Sequence, residues 1–239
     1  MRFDIITIFP KIIDAYLGES ILKRARTKKL AEFYVHDLRD FTTERHRKVD
    51  DRPFGGGPGM VLKIEPIVRA LDAITRKTKN VKRKTKIILF SAGGKQFDSK
   101  MAADWAKKYD RIIMIAGRYE GMDERVKKIV QNSKLSAFGG KIENLSIGPY
   151  VLTGGELPAL IVADAVSRHI PGVLGDAESL EEKRHGVGVP VYTRPEVFEW
   201  PASGRGKKKK KYQVPKVLLS GDHKKIEEWR KLHRRKGAV

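Results

Sequence analysis

The chain has 239 residues, 40% of them hydrophobic and 33% charged, which suffices for one large core or two modest ones. It contains no cysteine, which excludes a disulfide framework, a thiolate metal site and a thiol nucleophile. Lysine and arginine number 50 against 29 aspartate and glutamate, a formal net charge of +21; a surplus of this size suits nucleic acid, because Lys and Arg contacts to phosphates release counterions.

Residues 1–9 alternate apolar and polar up to Pro10 and predict a first strand, not a signal peptide. No segment is long and apolar enough to cross a bilayer, so a cytoplasmic protein with no membrane partner is expected. Gly55-Gly56-Gly57-Pro58-Gly59 is the densest glycine cluster. It reads as a tight surface loop or as a place where a ligand approaches the main chain closely. It lacks both the GxGxxG spacing after a strand and the Lys-Ser/Thr ending of a phosphate loop, which sets aside a nicotinamide-dependent dehydrogenase.

Residues 81–90 run from basic positions into Ile87-Ile88-Leu89-Phe90, a buried strand, and Ser91-Ala92-Gly93-Gly94 reads as the turn after it. A helix is predicted over 99–107 with Asp98 as its N-cap, then a second buried strand over 111–116 and a helix over 122–130. Short apolar strands alternating with helices indicate an α/β layer with a parallel sheet, whose ligands sit beyond the carboxyl ends of the strands. Gly117-Arg118-Tyr119-Glu120-Gly121 falls at such an end. Its carboxylate suits a ribose or an amino group and its arginine an anionic group; the plainer reading is a strand-to-helix turn with surface charges. In Ser146-Ile147-Gly148-Pro149-Tyr150-Val151-Leu152-Thr153-Gly154-Gly155 two glycine turns bracket an extended segment, which suits the edge of a base such as adenine or is simply a strand with its turns.

Residues 155–170 read as a helix with Leu157, Leu160, Ile161, Ala165 and Val166 on one face, ended by Pro171-Gly172. Arg168 near its end is a cation favoured by the helix dipole or a fork aimed at an anionic oxygen. The six histidines show no metal spacing, and the sequence leaves a role for magnesium open without a ligand cluster that demands one. Weak periodicity and several glycines make 172–189 a flexible linker between a domain at 1–171 and a small basic region at 190–239. Residues 203–211 read as a mobile Gly/Lys-rich excursion, and Asp222 as the cap of a last helix through Ile226, Trp229 and Leu232. Residues 202–239 hold 14 Lys and Arg against 3 Asp and Glu, which points to phosphates.

Together these motifs resemble the bacterial tRNA (guanine-N1)-methyltransferase family of the SPOUT superfamily. The likeness runs in order through Arg45-His46-Arg47, Val49-Asp50-Asp51-Arg52-Pro53-Phe54 with the glycine loop, Gly117 to Arg125, Ser146 to Pro158, Asp164-Ala165-Val166-Ser167-Arg168, Tyr192-Thr193-Arg194-Pro195 and Val217-Leu218-Leu219-Ser220-Gly221. The resemblance implies an α/β domain with a deep trefoil knot, a linker and a small C-terminal helical domain that binds tRNA. It implies a homodimer whose active sites are shared between subunits. It places the methyl donor, S-adenosylmethionine, against Leu89, Phe90, Ser91, Gly117, Glu120, Ile147, Gly148, Pro149, Tyr150, Val151, Leu152, Gly154 and Gly155. The substrate would be the guanosine 3′ of the anticodon, position 37, held by Asp50, Arg52, Gly55, Gly56, Gly57, Pro58 and Gly59. Guanine N1 must lose its proton to a base while an arginine stabilises O6. Arg168 matches that arginine.

The chain departs from the family in the linker, where Glu181-Glu182-Lys183-Arg184 stands for the usual Glu-Asp-Ser-Phe and a lysine falls at the position of the basic aspartate. Glu182 is assigned that role, with Glu181 next. Pro149 also stands where an aspartate is common, and the C-terminal region is shorter than is usual. These departures define the alternatives: a non-catalytic RNA-binding relative, or an enzyme of the same fold that methylates another RNA position.

Overall fold

The structure is a computed structural model and describes residues 1–76, 84–132, 142–176, 180, 188–201 and 209–234. The chain divides into two compact units, Met1–Ala177 and Glu178–Val239.

In chain order the first unit holds β1 (Arg2–Thr7), α1 (Pro10–Leu17), α2 (Ser20–Thr27), β2 (Glu32–Asp37), a 3-10 turn (Leu38–Phe41), β3 (Asp50–Asp51), β4 (Val61–Leu62), α3 (Ile64–Arg76), β5 (Thr85–Gln96), α4 (Ser99–Lys108), β6 (Arg111–Ile115), α5 (Arg125–Asn132), β7 (Ile142–Ser146) and α6 (Glu156–Ser167). Five strands form one sheet in the order β2-β1-β6-β5-β7, every neighbouring pair parallel. A parallel sheet covered by helices on both faces needs strands apolar on both sides. In β6, Ile112, Ile113, Met114 and Ile115 are all buried. Phe3, Ile5, Ile112 and Met114 pack against Ile13 and Leu17 of α1, Trp105 of α4 and Val162 of α6. Ile6, Ile87, Ile113 and Ile115 pack on the other face against Ile67 and Leu71 of α3 and Val126 of α5.

One charge cluster interrupts this core. Asp4 is wholly buried and accepts from Arg111 Nε at 2.6 Å and from Arg2 Nε and Nη2 at 2.8 and 2.7 Å, with His36 Nε2 at 2.8 Å. Burial alone would raise its pKa, but hydrogen bonds from His36, Arg2 and Arg111 hold the carboxylate well below its ordinary range.

Several boundaries differ from the sequence expectation. The segment Ser91-Ala92-Gly93-Gly94 does not end its strand: β5 bulges out there and rejoins β7, so that Phe90 and Lys95 both face Leu145. A β-carbon on Gly94 would stand 2.7 Å from the Leu145 backbone, a close approach that small residues permit. The helix expected from 122 begins at Arg125, because the Asp123 carboxylate accepts from Arg125 N at 2.9 Å. Helix α6 stops at Ser167, ahead of Pro171-Gly172; its end tightens into three-residue turns, with Ile170 N donating to Ser167 O at 3.0 Å. Asp98 caps α4 as expected, accepting from Met101 N at 2.7 Å.

The second unit holds β8 (Val197–Pro201), β9 (Lys209–Gln213), α7 (Lys216–Leu219) and α8 (His223–His233). Asp222 caps α8 by accepting from Lys225 N at 3.2 Å. The expected excursion is corrected at its end: Lys209, Lys210 and Lys211 are strand residues paired antiparallel with Pro201, Trp200 and Glu199. The aromatic neighbours across the ribbon favour strand over loop. The described part of this unit is therefore a ribbon with two helices, where helices alone were expected. Among the described residues no helix is long and apolar enough to cross a membrane.

Candidate functional site

The site lies at the bulge of β5 and where β6 and β7 end. Beyond β6 the chain turns through Arg118–Gly121, with Gly121 N donating to Arg118 O at 3.2 Å. Tyr119 takes φ 59°, a conformation that costs an L-residue about 1–2 kcal/mol. The turn is held to the segment after the glycine loop: Glu120 N donates to Met60 O at 3.0 Å, and Leu62 N to Gly121 O at 3.0 Å. The glycine loop thus ends against Glu120, and a β-carbon on Gly59 would stand 2.6 Å from its Oε1.

The segment after β7 closes the opposite side. Ser146 Oγ donates to Gly148 O at 2.9 Å, and the Tyr150 ring lies against Gly148, where a β-carbon would be 2.2 Å from Cε1. Residues 150–152 are irregular and exposed rather than a strand. The chain then returns to β6: Gly155 N donates to Gly117 O at 2.8 Å, and a β-carbon on Gly155 would stand 2.6 Å from Ala116 Cα. Only glycine admits that approach.

Between these walls is a cleft of about 340 Å³, within the roughly 300–1,000 Å³ range of small-molecule sites. Leu89, Phe90, Ser91, Gly117, Glu120, Ile147, Gly148, Tyr150, Val151, Leu152, Gly154 and Gly155 all line it. Of the residues assigned to the methyl donor, only Pro149 is outside the lining. Arg118, Tyr119, Asn144 and Thr153 also line it and were not among the residues assigned from the sequence. Asn144 is the informative one: its side-chain oxygen is buried and accepts no hydrogen bond from any described residue. The sequence carried no clear signal for it, since β7 reads Ile-Glu-Asn-Leu-Ser.

Behind the cleft stands an anchored carboxylate. Glu156, 1% exposed, accepts from the Thr7 hydroxyl at 2.7 Å and from Arg118 Nε at 2.9 Å. The Arg118 guanidinium also lies 4.6 Å from the centre of the Phe9 ring. Arg118 therefore answers to a protein carboxylate, where the sequence suggested an anionic ligand.

The other assigned residues are not gathered here. Asp50 lies in β3, paired with Leu62, and Arg52 is exposed. Gly55, Gly56, Gly57 and Gly59 all take positive φ, while Pro58 is exposed and is not in the lining of this cleft. Arg168 forms the C-terminal cap of α6, whose other end meets the cleft at Gly155. Twelve residues at 1.5 Å each separate the two ends by about 18 Å. Glu181 and Glu182 lie outside the described residues. Among the described residues no group of three or more His, Asp or Glu is placed to hold a metal ion.

The glycine-lined backbone and the Glu120 carboxylate together suit a flat ligand that carries an amino group.

Compared with known proteins, the chain matches the family described as tRNA (Guanine-1)-methyltransferase TrmD over residues 1–238. It is similar to the tRNA (guanine-N(1)-)-methyltransferase of Thermomicrobium roseum, 46% identical over 235 residues, covering 97% of this chain and 78% of that protein. The protein of the same name from Dictyoglomus turgidum is 45% identical over 234 residues, covering 97% and 84%. That of Clostridioides difficile is 45% identical over 234 residues, covering 97% and 91%.

Proposed function

The chain belongs to the tRNA (guanine-1)-methyltransferase family, and from this premise we propose that it transfers a methyl group from S-adenosylmethionine to N1 of the guanosine 3′ of the anticodon in tRNA. One observation carries the reading: segments 89–91, 117–120, 147–148 and 150–155, far apart in sequence, line a single cleft at the bulge of β5 and the carboxyl ends of the parallel strands β6 and β7, where α/β sheets take their ligands.

The donor brings a methyl already activated on a sulfonium. What remains is the work of the chain. Glu120 offers a negative charge to the occupant of the cleft, and Leu89 and Ile147 line its apolar wall. Glu182 takes the N1 proton of guanine as general base. Arg168 neutralises the charge that grows on O6 as that proton leaves. The glycine loop, ending against Glu120, brings the base edge close to the backbone.

A second copy is part of this scheme. Arg168 and the cleft edge at Gly155 lie at opposite ends of α6, about 18 Å apart along its axis, which supports supply of that arginine by a partner protomer. The face for such a partner is available. Tyr16 Oη donates to Asp164 Oδ2 at 2.6 Å and holds α1 beside α6. Ile12 and Tyr16 on the one, and Leu157 and Ile161 on the other, are large apolar residues exposed at i, i+4 spacing. The deep knot is part of the same proposal. It is supported by the return of the chain from the sheet edge at β7 to β6 through Gly154 and Gly155. A linker over residues 172–189 and a cytoplasmic location complete the proposal.

The test is methyl transfer followed by nucleoside analysis of the tRNA. The reading predicts 1-methylguanosine at the nucleotide 3′ of the anticodon. A different methylated nucleoside, or the same one elsewhere, overturns the assigned position. Donor and tRNA binding without any product favours the RNA-binding relative that lost its base.

A further inference from the structure

The β8–β9 ribbon has no part in the chemistry above, yet its two faces are sharply different. Residues directly opposed across an antiparallel pair share a face, and neighbours along a strand alternate. The register Phe198 with Tyr212 and Trp200 with Lys210 therefore collects three aromatic rings and one lysine on one face. Glu199 with Lys211 falls on the other, where Lys211 Nζ lies 3.3 Å from Glu199 Oε1. On the aromatic face, Phe198 and Trp200 are stacked, with centroids 5.8 Å apart and planes 25° apart. Lys210 Nζ is 5.5 Å from the centre of the Tyr212 ring.

Burial does not explain this face. Phe198 is 49% exposed, Trp200 59% and Tyr212 49%. Such rings are unfavourable in water unless something covers them. The charge says what. The single acid of the two strands, Glu199, points to the opposite face, so Lys210 stands among the rings without a carboxylate beside it. The surrounding region, 202–239, holds 14 Lys and Arg against 3 acids. Flat aromatic surface interleaved with uncompensated cations matches unpaired nucleotides, which offer a π-face and a phosphate together.

We propose that the Phe198–Trp200–Tyr212 face of this ribbon is a stacking platform for single-stranded RNA, with Lys210 at the phosphate. It rests on the tRNA reading only for which RNA is bound; stacking itself needs no methyl transfer.

The full chain is titrated, at one fixed salt concentration, with unmodified tRNA, a single-stranded RNA oligonucleotide and a blunt RNA duplex. Trp200→Leu keeps apolar bulk but loses the ring. It is expected to weaken the oligonucleotide and the tRNA by about tenfold or more, the magnitude of one lost base–aromatic stack, and to raise the KM for tRNA in proportion. Trp200→Phe restores most of the loss, and the duplex is unaffected. On the wild type, 4-thiouridine-substituted tRNA is expected to crosslink within 197–201 or 209–213. Wild-type affinities in both Trp200→Leu and Phe198→Leu overturn the platform. So do crosslinks found only elsewhere, or a change of oligomeric state in place of RNA affinity. If the wild type transfers no methyl group but Trp200→Leu still loses the oligonucleotide, the platform stands and the proposed reaction does not.

Discussion

Arg118 and Glu156 join the turn after β6 to the first residue of α6, with Nε 2.9 Å from Oε2. The carboxylate is buried, and its other oxygen accepts from Thr7 at the end of β1. The ends of β1 and β6 are thereby tied to one side chain at the start of α6. Glu156→Ala leaves the Arg118 charge without its partner and is expected to cost about 3 kcal/mol in denaturant unfolding. It should also weaken donor binding, because Arg118 lines the cleft. Glu156→Gln, which still accepts from Thr7, should cost less.

Gly155 is predicted to be irreplaceable for a different reason. A β-carbon there meets Ala116 Cα at 2.6 Å and Gly117 N at 2.9 Å, and backbone does not yield as a flexible side chain does. Gly155→Ala should cost about 1–3 kcal/mol and reduce donor affinity at least tenfold by calorimetry. Gly56→Ala is the contrast. Nothing lies within 4 Å of its β-carbon, but φ is +80°, so it strains only the loop and should leave donor affinity unchanged.

The buried cluster around Asp4 predicts acid sensitivity. Its pKa is lower in the folded chain than in the unfolded one. Its stabilisation is therefore complete above the ordinary carboxylate value of about 3.9 and is lost as pH falls below it, because the unfolded chain takes up the proton first. Asp4→Asn leaves Arg111 buried without a counter-charge and should cost about 3–5 kcal/mol at pH 7. Denaturant midpoints from pH 7 down to 3 should show the difference between the two proteins shrinking as the wild type loses its advantage.

Arg168→Ala should lower methyl transfer about 10²- to 10³-fold with donor affinity unchanged. Since Arg168 is assigned to the partner's cleft, mixing Arg168→Ala protomers with Gly155→Ala protomers should recover activity that neither has alone. No recovery in mixed dimers contradicts a shared site.

What was legible in the sequence was what local pattern determines. The run Ile112 to Ile115 reads as a strand buried on both sides, and Asp98 reads as a cap, because neither depends on distant partners. The glycine turns at 117–121 and 146–155 were legible as ligand-side segments at strand ends, but their union in one cleft with Leu89 was legible only through the family likeness; no periodicity brings Leu89, Gly117 and Ile147 together. The β5 bulge was missed because Gly94 is explained by the β7 backbone it crosses, more than fifty residues away in sequence. The lysines of β9 read from the sequence as part of a mobile Gly/Lys-rich excursion because their strand character comes from the aromatics of β8 across the ribbon. Asn144 gave a weak signal, since its significance lies in the hydrogen bond it does not make.

The central claim is that this cleft serves methylation of one guanine. It is tested most directly by a single-turnover assay with labelled S-adenosylmethionine and two unmodified tRNA transcripts that differ only in guanosine or adenosine 3′ of the anticodon. Label in the guanosine transcript alone is the predicted result; equal label in both, or none in either with donor and tRNA bound, contradicts the account.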